Sequence, residues 1–242
     1  MPWIEEDEGW AEAWARRPKL RGWFHAGAAA IGVPATMVAA QRAPAGRVRV
    51  AVSVFGGAYT TMLGASAAYH RLARTPEQAR WLRRVDHAAI FGAIAGTWTP
   101  IAVLVLPPPV TPFVLAGVWT AAGAAAVTSL TTLEGERDHV RWAYHVLGWA
   151  AVGVVPFVWA AGGWVPLVEI IAGGVAYSAG ASLMRARFWE DARWFGTHEA
   201  WHVAVLAGGT VHAVAIAQLV RASRSKSHGG LSALRGRVRR WR

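Results

Sequence analysis

Long uncharged runs alternate with short arginine clusters along this chain. A helix needs ~20 mostly apolar residues to cross ~30 Å of hydrocarbon at ~1.5 Å per residue. Gly22–Ala40, whose only ionisable group is His25, predicts a first span, and Val50–Tyr69 predicts a second. Ala88 to Leu133 carries no charge and is too long for one helix. Pro107, Pro108, Pro109 and Pro112 divide it, which predicts spans over about Asp86–Leu106 and Val110–Leu133. Trp142–Ala161 predicts a fifth span with Gly162-Gly163 as the turn after it, Trp164–Met184 a sixth containing Glu169, and His198–Val220 a seventh. These runs lack the polar face that a helix of a soluble protein shows. The expected fold class is therefore an all-α integral membrane protein, a seven-transmembrane helix bundle. Residues 1–19 form an N-terminal segment, 20–222 the membrane domain, and 223–242 a basic C-terminal tail.

Charge sharpens this picture. The formal net charge is +11, with 25 Lys and Arg against 14 Asp and Glu. Basic charge alone is only an electrostatic footprint. Here it falls at the ends of apolar runs, so membrane lipids are the expected partner and nucleic acid is not. With the N-terminus cytoplasmic, the inner side collects Arg16, Arg17, Lys19 and Arg21, then Arg71, Arg74, Arg80, Arg83 and Arg84. It also collects Arg137, Arg141, Arg185, Arg187 and Arg193, so fourteen face three outside, at Arg42, Arg47 and Arg49. The tail, with Arg235, Arg237, Arg239 and Arg240, then falls outside and opposes the rule; the short loops weigh more. Glu5, Glu6, Asp7, Glu8 and Glu12 make the N-terminus the opposite of a basic secretory leader. The fifteen tryptophans sit mostly near span ends, as an interfacial belt does, and Trp3, Trp10 and Trp14 point to a segment lying along the membrane surface.

The chain has no cysteine, so a metal must sit on His, Asp or Glu. His198-Glu199-Ala200-Trp201-His202 places two imidazoles one helical turn apart on one face. Ser66 and His70 stand at the same spacing at the end of the second span. Asp86 opens the third. With alternating spans, His70, Asp86, His198 and His202 all fall at one membrane face, although their spacing alone does not require it. Three neutral histidines around zinc leave a fourth position for water, the arrangement of a catalytic site. Asp86 is then a candidate base, and Ser66 a candidate to orient a ligand or stabilise an oxyanion. The plainer readings are an N-cap for Asp86 and a small packing residue for Ser66. His87 and His212 are lone residues with at most a supporting role. Glu169, on the opposite face, reads as a paired or water-exposed acid. Taken literally, His198-Glu199-x-x-His202 also fits a zincin-type protease with Glu199 as base.

At these motifs the chain resembles the haemolysin III family, within the progestin and adipoQ receptor superfamily that includes the adiponectin receptors. The matching residues are Ser66-x-x-x-His70, then Asp86-His87-Ala88-Ala89-Ile90-Phe91 running into Ala95-Gly96-Thr97-Trp98-Thr99-Pro100. His198-Glu199-Ala200-Trp201-His202 with Gly208 and His212 completes the set. The resemblance covers about residues 20–222. It implies seven helices with the N-terminus inside and the C-terminus outside. It also implies zinc on His70, His198 and His202, with Asp86 meeting the metal through water and Ser66 nearby. Related alkaline ceramidases hydrolyse a lipid amide, so a metal-dependent hydrolase of a lipid amide or ester is the leading expectation. A receptor or lipid-regulatory protein with a structural zinc is the non-enzymatic alternative. The pore-forming label of the founding bacterial members has no support in these residues. A composition rich in Ala, Arg, Gly and Trp, with only Lys19 and Lys226 as lysines, points to a GC-rich bacterium and its plasma membrane.

Overall fold

Hydrocarbon offers no partner to a backbone N–H or C=O, so a chain crossing it satisfies those groups within its own helices. The computed structural model describes residue 12 and residues 14–131, 138–186 and 192–239, the side chains of 138–141 and 226–239 excepted. Among these the fold is helical and without strands. The elements are α1 (Trp23–Arg42), α2 (Arg47–Leu72), α3 (Pro76–Val105), α4 (Thr111–Thr131) and α5 (Asp138–Trp149). A 3-10 segment, Ala150–Val154, follows, then α6 (Val155–Gly162), α7 (Trp164–Ala186) and α8 (Thr197–Arg239). Seven stretches are long and apolar enough to cross a membrane: α1 to α4, Trp142–Gly162, α7, and Thr197–Ser225 of α8. The seven expected spans are therefore present, most of them within a few residues of their expected ends.

Two expectations are corrected. Asp86 is not the N-cap of the third span. Thr75 caps α3, its side chain accepting from the Gln78 N–H at 3.2 Å, and Pro76 occupies the first turn. A Thr N-cap followed by proline is a stronger start signal than a lone acid. The helix therefore extends about three turns beyond the apolar run, and Asp86 lies inside it. The fifth span is likewise not one continuous α-helix. Pro156 has no N–H to give and its ring crowds the carbonyl four residues back, so α5 and α6 are joined through the 3-10 segment. The predicted turn at Gly162-Gly163 is found, with Gly163 at φ 78°. Leu133, Arg137 and Arg187, together with Trp3 and Trp10, lie outside the described residues.

α3 is the inner helix: half of its membrane stretch is buried (50%), against 6% for α1. Phe91, Trp98 and Ile101 of α3 pack with Phe55 of α2, Val118 of α4, Val158 of α6 and Leu219 of α8. The neighbouring pairs α1–α2, α2–α3, α3–α4 and α7–α8 form the main contacts, and α8 closes the bundle against α1, α2 and α3. Exposed side chains such as Ile31, Phe113 and Trp159 face outward, as lipid contact requires. Glu169 is paired, accepting from the Gln218 amide at 2.6 Å. Small residues let α2 and α3 approach closely, since a Cβ at Gly96 would stand 2.6 Å from the Cβ of Ala58. Gly96→Val is expected to destabilise the bundle by ~1–3 kcal/mol. Gly92→Val, where nothing stands within 4 Å of an added Cβ, is expected to be near neutral. Thermal unfolding in detergent compares the two.

Candidate metal centre

α2 ends where α8 begins. The last turns of α2 carry Ser66 and His70, and the first two turns of α8 carry His198 and His202. One ligand atom from each of His70, His198 and His202 lies within 4.8 Å of the others. The Nε2 atoms of His70 and His198 face each other at 3.1 Å. The rings are mutually inclined, at 83° for His70 and His198, 55° for His70 and His202, and 73° for His198 and His202. Inclined rings can aim their in-plane lone pairs at one point. Tetrahedral coordination at ~2.0–2.1 Å sets ligand nitrogens roughly 3.3 Å apart, close to the His70–His198 separation. His70 and His202 are nearly fully buried, and the Nδ1 atom of each has no hydrogen bond within the protein. The donors fit a divalent ion that accepts imidazole, a class that includes zinc, copper and nickel.

A short strap of chain holds both helix ends. Glu199, fully buried, accepts the Gly196 N–H at 2.8 Å through Oε2, the glutamate half of a capping box at the start of α8. Its Oε1 is ion-paired with Arg21. Arg17 donates to the backbone carbonyl of His70 at 3.1 Å and to that of Trp14 at 2.7 Å, with its guanidinium over the Trp14 ring. Burial, then the neighbouring Arg21, lowers the Arg17 pKa to about 10, so it stays charged at neutral pH. Lys19 and Leu20 donate their N–H groups to the carbonyls of Arg193 and Trp194 at 3.1 and 3.2 Å. Gly22 turns the chain into α1 at φ 81°, where a Cβ would stand 2.6 Å from that of His70. Trp14 packs edge-on against Tyr69.

Asp86 is buried, with Ser66 and Arg83 near its carboxylate. Ser66 lies one turn before His70 on α2, and Asp86 does not belong to the set of mutually close ligand atoms. His212 lies deeper in the bundle, its Nε2 3.0 Å from the Ile170 carbonyl. Among the described residues, the buried histidine that spacing did not single out is His25. Its ring stacks on His202 with centroids 3.9 Å apart. A lone histidine early in the first span has no companion at helical spacing, so only the packing of α1 against α8 reveals it.

Fold and site together define a polytopic membrane protein with a candidate metal centre at one end of its helix bundle. The haemolysin-III-related family pattern matches residues 13–213, and the chain belongs to that family, within the progestin and adipoQ receptor superfamily. It is similar to Hemolysin-3 of Bacillus cereus, 26% identical over 171 residues, which cover 67% of this chain and 71% of the relative.

Removing one partner of a buried ion pair leaves the other charge uncompensated, at a cost of ~3–5 kcal/mol. Arg21→Met or Glu199→Leu alone is therefore expected to lower the melting temperature in detergent clearly. The double variant is expected to recover part of that loss, because neither charge is then stranded.

Proposed function

We propose that this chain is a zinc-dependent hydrolase of a bacterial plasma membrane, acting on a lipid amide or ester at the cytoplasmic leaflet. The observation that carries this reading is the convergence of three imidazoles at one end of the bundle, His70 and His202 buried and His198 partly so, with the buried Ser66 one turn before His70. The cytoplasmic assignment rests on the basic loops, and the bacterial one on composition.

His70, His198 and His202 would hold the ion. Bound there, zinc would polarise a carbonyl and bring the pKa of its water to ~7. Asp86, a buried carboxylate near Ser66 and not paired with Arg21, would take the proton from the attacking water. Ser66 orients that carboxylate through its hydroxyl. Apolar helix faces around the site receive the acyl chain, which is why a lipid-like substrate fits better than a soluble one. A zincin-type mechanism needs Glu199 free as base. Its two oxygens serve Arg21 and the Gly196 N–H instead, which counts against that reading.

Asp86→Ala is expected to keep its zinc and lose hydrolysis of responsive lipid amides or esters by ~10²–10⁴-fold, the usual size of a general-base contribution. Turnover and metal content are measured on the same preparation. Parallel loss of metal and activity would contradict the role given to Asp86. A zinc-loaded parent that cleaves no lipid amide or ester would favour a non-enzymatic lipid-regulatory or receptor role with a structural metal.

A further inference from the structure

The proposed chemistry leaves the buried imidazole of His25 unused. His25 of α1 is 3% exposed, and its ring plane lies 16° from that of His202. An imidazole binds a metal through a lone pair lying in its ring plane, at ~2.0–2.1 Å. Nearly parallel planes whose centroids are 3.9 Å apart do not meet within that range. His25 and His202 therefore cannot both ligate one ion in this arrangement, and His25 stands beside the ligand set rather than in it.

Both ring nitrogens of His25 are nevertheless buried without a hydrogen bond to the protein. The His202 backbone comes near without meeting hydrogen-bond geometry. A buried donor or acceptor left unmatched is destabilising, and an apolar side chain of the same shape would avoid that cost. A histidine here is explained when its partner comes from outside the chain.

We propose that His25 is a ligand-binding residue of this centre: its ring face braces His202, and a ring nitrogen hydrogen-bonds an oxygen of the group that enters the metal's open position. The ligand class is an oxygen-donor group such as a carbonyl or hydroxamate. The inference rests on the three-histidine metal reading.

The test uses the full-length protein in detergent, loaded with cobalt(II) and titrated with acetohydroxamate while the visible d–d bands are followed. Cobalt affinity is measured separately by chelator competition. His25→Phe keeps a flat ring for the stack and removes both nitrogens. It is expected to hold cobalt within roughly threefold of the parent and to bind acetohydroxamate about tenfold more weakly, the scale of one hydrogen bond in a dry site. Parent-like hydroxamate affinity would overturn the proposal. So would a folded His25→Phe protein that no longer binds cobalt, which would make His25 a ligand. His25→Gln, which retains a donor and an acceptor, gives a second reading at saturating cobalt even where the Phe variant does not fold. Hydroxamate affinity within about threefold of the parent supports the proposal, and a tenfold loss contradicts it. A parent that binds no cobalt removes the metal reading itself, and this inference with it.

Discussion

Everything at the candidate site depends on the end of α2 meeting the start of α8. Polar groups are costly in hydrocarbon and persist where they find partners or do chemistry. Here the α2–α8 junction gathers His70, His198 and His202, together with the buried Glu199. Because the helices are rigid rods packed through small residues, the meeting point is set by contacts along their whole length. Gly208 against Tyr177 on the α7–α8 side and Gly96 against Ala58 on the α2–α3 side are two of these. A shift of one helix past its neighbour would separate nitrogens that now lie 3.1 Å apart.

The N-terminal strap is the second element of that constraint. Arg17 and Arg21 look like ordinary positive-inside charges when counted by loop. In the fold, one ties to the carbonyl of His70 and the other to Glu199, the residue between His198 and His202. The same arginines thus brace the geometry of the candidate centre. Glu199 gains a structural explanation in the process, as a helix cap and as the counter-ion of Arg21.

Different parts of this organisation were legible in the sequence to different degrees, for physical reasons. The seven spans were legible because bilayer thickness imposes a minimum apolar length. Their ends were less so: the capping pair Thr75-Pro76 starts α3 well before the apolar run begins, and Pro156 breaks the fifth span without interrupting its hydrophobicity. His70, His198 and His202 could be grouped because alternating spans return to one face at odd and even crossings. The Arg21–Glu199 link joins positions 178 apart and carries no periodicity. His25, a single polar residue in an apolar run, shows its place only when α1 is packed against α8.

Metal content tests the central claim most directly: plasma mass spectrometry of detergent-purified protein, beside a His198→Ala/His202→Ala variant of verified helicity. The account predicts near one zinc per chain in the parent and little in the variant. Equal metal content in both, or none in a folded parent, would contradict it.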